Sequence, residues 1–181
     1  GLVGSEMCIR DSLAPWAAFG QANQEYSPLQ LANYIATLCG GGERYTTHLL
    51  KNVRSSGSGT LEYVYDAAPV ETVSVSSENL SAVLAGMHDL AADGAVSSYF
   101  KDCIVDAAAK TCTIQTGDAK NNNGAFVCFA PYDDPQIAVA IVIEKGGTGA
   151  ALASTAVQVL NAYFSNASAS SAVTGENALL G

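Results

Sequence analysis

The sequence predicts an α+β domain in which an antiparallel sheet is flanked by helices. Amphipathic helical patterns occur on both sides of a run of three strand candidates, Ile104–Gln115, Gly124–Ala130 and Ile137–Glu144. Only short polar turns join these strands. They must therefore run antiparallel, because a parallel pair needs a crossover of a dozen residues or more. A sheet of this kind with helices before and after it defines the α+β class.

The first helix and the segments after it are predicted from local signals. Ser27 is the expected N-cap, Pro28 occupies the first helical position, and the glycines at 40–42 end the helix. The segments 48–53 and 61–65 are then extended. Because a Ser/Gly loop separates them, they form either a hairpin or a linker.

Two further helices complete the predicted elements. One runs from Ser76 to about Ala92, with an apolar stripe in which Met87 is expected to be core rather than ligand. The other runs from about Ala150 to Phe164, and residues 165–181 are expected to form a flexible tail. The stripes are Leu80, Val83, Leu84, Met87 and Leu90 in the earlier helix and Leu152, Ala156, Val159, Leu160 and Tyr163 in the later one.

Composition excludes several classes of function. Hydrophobic residues make up 49% of the 181 residues and charged residues 14%, which excludes disorder for most of the chain. The net charge is −9 and basic residues do not cluster, so nucleic acid is not an expected partner. The longest apolar run, Ile137–Ile143, is far shorter than the roughly 20 residues needed to span a bilayer.

Metal and cofactor sites are not indicated by the sequence. The five cysteines form no C-x-x-C pair, and His48 and His88 lie far apart, with only Asp89 beside the second. The glycine segments 40–42, 57–59 and 146–149 fit no nucleotide-binding motif. Asp133-Asp134 and Glu144 are explained by a turn and a strand end. We therefore expect no metal and no cofactor.

Lys110 is the most informative candidate for chemistry. It lies in a strand of small and β-branched residues, where alternation puts Lys110 and Cys112 on one face and Thr111 and Thr113 on the other. An exposed strand lysine is usually just solvated. The segments around this one favour a catalytic role instead.

Read together, these segments resemble the transpeptidase domain of class B penicillin-binding proteins, the serine D,D-transpeptidases that cross-link peptidoglycan. The resemblance covers roughly residues 17–164 in the family's order, with Lys110-Thr111-Cys112 at its K-T-G motif. The other matching segments are Ala18-Phe19-Gly20-Gln21, Ser27-Pro28-Leu29-Gln30-Leu31-Ala32, Gly41-Gly42, Gly86-Met87, Asn123-Gly124, Phe129-Ala130-Pro131 and Ile137-Ala138-Val139.

The resemblance implies a partial β-lactamase/transpeptidase-like fold and acyl transfer from a D-Ala-D-Ala stem peptide, which β-lactams mimic. Lys110 and the backbone N–H of Thr113 would be catalytic, the second as an oxyanion-hole donor. Thr111, whose hydroxyl would bind the substrate carboxylate, and Cys112 would belong to the substrate-binding part of the strand. The parent protein would act at the extracytoplasmic face of the bacterial membrane, through an N-terminal anchor missing here.

Two departures from the family pattern affect this interpretation. Neither S-x-x-K nor S-x-N occurs at a matching place, and Ser98 with Lys101 is a chance match at the wrong point in the order. Cys112 and Cys128 stand where the family has glycine. A catalytic thiol at Cys112 is the less favoured alternative, because no histidine that could act as its base lies close in sequence.

The domain interpretation follows from these departures. Residues 1–12 are predicted to be a non-native, adapter-like segment, and residues 13–164 the C-terminal part of a transpeptidase domain. We expect such a piece to be inactive alone, because covalent catalysis needs a serine activated by a base. The alternative is a non-catalytic, transpeptidase-like binding module.

Overall fold

A three-stranded antiparallel sheet forms the centre of the molecule, as a computed structural model of the chain shows. The structure describes residues 26–114 and 122–172. The sheet has the order β5-β6-β7, with β5 at Ala108–Ile114, β6 at Asn123–Ala130 and β7 at Ile137–Ile143. Both strand pairs are antiparallel, which confirms the predicted α+β class.

Two helices precede the sheet in the chain. Helix α1 spans Pro28–Cys39 and α2 spans Ser77–Ala92. Both N-caps are serines, Ser27 and Ser76, whose hydroxyls accept backbone N–H groups in the first turn. These helix starts are confirmed. A short helix α3, Ser97–Phe100, follows α2.

Between α1 and α2 lie two small antiparallel ribbons. Strands β2 (Asn52–Arg54) and β3 (Leu61–Val64) pair as a hairpin, which resolves the alternative of hairpin or linker. Its first strand is shorter than predicted, since Leu49 and Leu50 are exposed outside it. Strands β1 (Glu43–Arg44) and β4 (Glu71–Thr72) form the second ribbon.

The last helix differs from its prediction in length and in buried face. A 3-10 helix at Gly149–Leu152 leads into α4, Ala153–Ala172, so the helix continues beyond Phe164. The predicted Val159 and Tyr163 are 40% and 41% exposed. The predicted Leu152, Ala156 and Leu160 are buried, and the buried face is completed by Ala153, Val157 and Phe164.

Each face of the sheet has its own hydrophobic core. On one face, Phe126 and Cys128 pack with Ala156 and Leu160 of α4. On the other, which we call the α1–α2 face, Ala108 and Phe129 pack with Ile35 and Met87. Met87 is thus a core residue, as predicted. The predicted Val83 is half exposed, and Ala91 is buried instead.

Candidate functional site

Strand β5 carries all four of the predicted site residues at the edge of the described sheet. Lys110 pairs with Val127, which packs on the α1–α2 face, and Thr111 pairs with Phe126 on the opposite face. The alternation predicted for this strand is therefore present. The strand begins at Ala108 rather than Ile104, because Ile104–Ala107 forms an irregular lead-in.

The Lys110 side chain is exposed on this edge strand. Its Nζ donates to the carbonyl oxygen of Thr111 at 2.6 Å, so the amine lies over its own strand. A cavity of about 320 Å³ lies elsewhere, between α1 and the β1–β4 ribbon, where Leu29, Tyr34 and Val73 line it. Lys110 consequently lies on an open strand edge and does not line that cavity.

The start of the 3-10 helix packs against Thr113 and Cys112. The Gly149 N–H donates to Thr113 Oγ1 at 3.4 Å. A Cβ on Gly149 would come within 2.4 Å of the carbonyl oxygens of Cys112 and Ala125. Only glycine allows this close approach, which holds the end of β5 against the 3-10 helix.

The two cysteines that stand where the family has glycine differ in burial. Cys128 is completely buried, and burial raises the pKa of its thiol to about 12, with a smaller contribution from nearby Cys103. A thiol that stays protonated at neutral pH is a poor nucleophile. Cys112 is half buried on the same face as Lys110. Cys128 is therefore a packing residue.

The two histidines, considered above as possible metal ligands, make other contacts. His48 stacks on Tyr65 with ring centroids 3.4 Å apart. His88 binds Asp106, not its neighbour Asp89, with Nε2 at 3.0 and 2.9 Å from the two carboxylate oxygens. Within residues 26–114 and 122–172, no three His, Cys, Asp or Glu side chains are grouped so as to hold a metal ion.

The remaining sequence candidates lie at exposed places. Ser98 is in α3, Asp133 and Asp134 are in the turn between β6 and β7, and Glu144 follows β7. In the part of the chain that the structure describes, no helix is long and apolar enough to cross a membrane. The segment 1–12 and the end of the predicted tail, residues 173–181, lie outside the described residues.

Sequence reasoning missed two side chains that hold the lead-in to β5. Asn161 of α4 donates to the Asp102 carbonyl oxygen at 2.8 Å and accepts the Ile104 N–H at 2.9 Å. His88 holds Asp106, two residues before the strand. The partners are separated by 57 or more residues in the first case and 18 in the second, and no local pattern signals either.

The fold and the site together define an α+β domain with a lysine-bearing edge strand, held between helical layers. Comparison with known proteins makes this class specific. Residues 10–164 match the family described as penicillin binding protein transpeptidase domain. The chain belongs to this family, and it is part of a transpeptidase domain.

Individual relatives agree with the family match. The chain is 32% identical over 139 residues to penicillin-binding protein 2A of Bacillus subtilis, covering 70% of this chain and 19% of that protein. It is 28% identical over 163 residues to penicillin-binding protein 2B of Streptococcus pneumoniae, covering 81% of this chain and 24% of that protein. The class B resemblance is thereby confirmed. The chain spans a quarter or less of the length of these relatives.

Solved structures share the fold. Penicillin-binding protein 2B from Streptococcus pneumoniae strain R6 superposes with a TM-score of 0.73 at 26% identity, over 83% of this chain and 26% of that one. Pseudomonas aeruginosa PBP2, solved in complex with WCK 5153, gives a TM-score of 0.67 at 27% identity, over 82% of this chain and 32% of that one. The expected transpeptidase-like fold is confirmed.

Proposed function

We propose that this chain contributes the lysine strand and its supporting layers to the active site of a serine D,D-transpeptidase. The observation that carries the proposal is Lys110, exposed on the edge strand β5 of a chain that belongs to the transpeptidase family. In the proposed complex, the Lys110 amine gives up its hydrogen bond to the Thr111 carbonyl oxygen and binds the substrate. A positive charge there favours a substrate carboxylate and the deprotonation of a neighbouring serine.

The reaction is acyl transfer in two steps. A serine hydroxyl, from the part of the transpeptidase domain that this chain does not include, attacks the carbonyl between the two D-Ala residues of a stem peptide. The C–N bond breaks, D-Ala leaves with the serine proton on its amine, and an acyl ester remains. An amine of a second stem peptide then attacks the ester, and the serine regains its proton.

The other residues of β5 have supporting roles in this proposal. The backbone N–H of Thr113 donates to the developing oxyanion, and the Thr111 hydroxyl binds the terminal carboxylate. The open edge of β5 receives the substrate backbone by strand addition. Gly149 supports this arrangement, since it fixes the end of β5 from the face opposite Lys110.

Substrate and location follow from the family. Peptidoglycan stem peptides and β-lactams are the proposed ligands, and the proposed location is the outer face of the cytoplasmic membrane. Relatives named penicillin-binding proteins and peptidoglycan D,D-transpeptidases support both. No metal or cofactor takes part in this mechanism.

Labelling with a fluorescent penicillin tests the proposal. We define the complete protein as residues 13–181 joined to the rest of the transpeptidase domain, carrying C112G to restore the glycine of the motif. It should be labelled, whereas the 181-residue chain should not. Lys110→Ala should slow labelling by about a hundredfold or more. Lys51→Ala, an exposed lysine beside the hairpin, is the matched control and should label normally.

The alternative function is a non-catalytic module that binds cell-wall peptide without turnover. Cys112 favours this alternative, because its side chain occupies the Lys110 face where the motif has glycine. Reversible binding of a D-Ala-D-Ala peptide by the complete protein, with no covalent penicillin adduct, would support the module and contradict the enzyme.

A further inference from the structure

Asp106 joins three elements immediately before the lysine strand. Its carboxylate accepts from His88 of α2, and Oδ1 also accepts the Ala107 N–H at 3.0 Å. Its carbonyl oxygen accepts the Tyr132 N–H at 3.1 Å, from the turn between β6 and β7. A single residue thus fixes the start of β5 to a helix and to a turn.

His88 is itself fixed from two sides. Its ring stacks on Tyr132, with centroids 4.2 Å apart and planes 21° from parallel, and Tyr132 in turn lies 6.3 Å from Phe129 of the core. The residue before it, Met87, is buried in the α1–α2 face against Ala108 and Phe129. The ring is therefore held in place before it binds the carboxylate.

The position of this cluster relates it to Lys110. Asp106 lies in the lead-in two residues before β5, and Ala108, the first residue of the strand, is completely buried and packs against Met87 of α2 on the face that also carries Lys110. Three buried alanines at 107–109 separate Asp106 from Lys110, so the exposed Asp106 carboxylate anchors one end of a short segment whose other end carries the amine. A shift at Asp106 would move Lys110 along the strand edge.

We infer that His88 is a positioning residue for the transpeptidase reaction, and that it sets the position of Lys110 through Asp106. This inference rests on the proposed function. In the proposed reaction Lys110 must lie close to the serine, and a misplacement of 1 Å in such a site can cost about a hundredfold in rate. The His88–Asp106 contact is a polar link between α2 and the start of this strand, beside the packing of Met87 against Ala108.

Three variants of the complete protein separate positioning from stability. His88→Phe keeps an aromatic ring on Tyr132 but removes the hydrogen bond to Asp106, whereas His88→Gln retains a donor near the Nε2 position. His48→Phe is the matched control, because His48 also stacks on a tyrosine but lies beside the hairpin. All three should retain the fold, since His88 is partly exposed and stacking is kept in both Phe variants.

The first measurement is acylation by fluorescent penicillin, resolved into binding and acylation steps. His88→Phe should slow the acylation step by about tenfold or more with little change in penicillin binding, and His88→Gln should recover most of the rate. Asp106→Asn combined with His88→Phe should be no slower than His88→Phe alone, because both break one contact. An unchanged acylation rate in His88→Phe would overturn the inference.

The second measurement does not depend on activity. Amide hydrogen exchange in the complete protein should rise over residues 106–112 in His88→Phe, while β7 keeps its protection. Unchanged exchange at 106–112 would also overturn the inference. If the complete protein with His88 in place is not labelled by penicillin, the proposed function fails. The hydrogen-exchange result still decides whether His88 fixes the strand.

Discussion

Gly149 shows how much of the site depends on the absence of one side chain. A Cβ there would lie 2.4 Å from two backbone carbonyl oxygens, of Cys112 and Ala125, and neither can move without disturbing the β5–β6 pairing. We expect Gly149→Ala to lower the free energy of unfolding by at least about 1–3 kcal/mol, the usual cost of overpacking.

Urea denaturation measures this effect. Gly86→Ala is the matched control, because nothing lies within 4 Å of a Cβ at that position in α2. This control should be stabilised by up to about 1 kcal/mol, since alanine is the better helix former. Equal effects of the two substitutions would show that the close approach at Gly149 is not a constraint.

Cys128 makes stability depend on pH in the alkaline range. Burial raises the pKa of its thiol to about 12 from 9.0, so above pH 9 the folded chain keeps a proton that the unfolded chain loses. Its contribution is therefore fully present below pH 9 and is lost as the pH rises toward 12, by at most about 1.4 kcal/mol per pH unit.

Urea unfolding between about pH 8 and pH 10.5 tests this linkage. Cys128→Ala should lose stability less steeply with rising pH than the unmodified chain, although it is less stable at pH 8. Cys112→Ala removes a thiol that is only half buried and serves as the comparison. Parallel curves for Cys128→Ala and the unmodified chain would contradict the assignment.

Alternation along β5 was readable from the sequence, but the contacts that hold the strand were not. The two-residue period of a strand is enough to place Lys110 and Thr111 on opposite faces of β5. The pairing of His88 with Asp106 depends on how α2 crosses the sheet, and the sequence offered Asp89 as the nearer carboxylate. Local patterns therefore predict which face a residue occupies, while its partners depend on packing.

Helix starts were predicted well because their signals are local. Ser27 and Gln30 form a capping box at α1, with Ser27 Oγ accepting the Gln30 N–H at 3.2 Å and Gln30 Oε1 accepting the Ser27 N–H at 2.8 Å. Helix faces were predicted less well. In α4 the buried face includes Ala153, Val157 and Phe164, while Val159 and Tyr163 of the predicted stripe are about 40% exposed.

Loss of the α1 cap has a predictable cost. Ser27→Ala should lower the free energy of unfolding by about 1 kcal/mol, because two backbone–side-chain hydrogen bonds of the first turn are lost or weakened. The same change at Ser81, exposed within α2, should be neutral or slightly stabilising. Thermal or urea unfolding of both variants measures the difference, and equal effects would mean that the cap does not stabilise α1.

Strand β5 begins later than its sequence pattern predicts, because the residues just before it form hydrogen bonds to neighbouring helices rather than to a strand. Ile104 is β-branched and favours a strand, yet its N–H donates to Asn161 of α4 instead of a neighbouring strand. Tertiary contacts of this kind override local propensity. The hairpin of β2 and β3 agrees with its local signals, since a Ser/Gly loop alone suffices to join two antiparallel strands.

The two cores share one sheet, which links the stability of all the helical layers. Phe126 and Phe129 are both completely buried in β6, three residues apart, but they face opposite layers. Truncation of a buried phenylalanine costs about 3–5 kcal/mol, a large part of the 5–15 kcal/mol that stabilises a typical domain. Loss of either side chain should therefore weaken the whole molecule.

We expect Phe126→Ala and Phe129→Ala each to lower the unfolding midpoint while preserving a single cooperative transition, because β6 pairs with both neighbouring strands and transmits the loss to both layers. Far-UV circular dichroism reports the helices and near-UV signals report tyrosine packing, and the two curves should coincide. Tyr163→Ala removes an aromatic ring that is 41% exposed and should cost less than either core substitution. Separate transitions in Phe126→Ala, with α4 melting before α1 and α2, would show that the layers are stabilised independently.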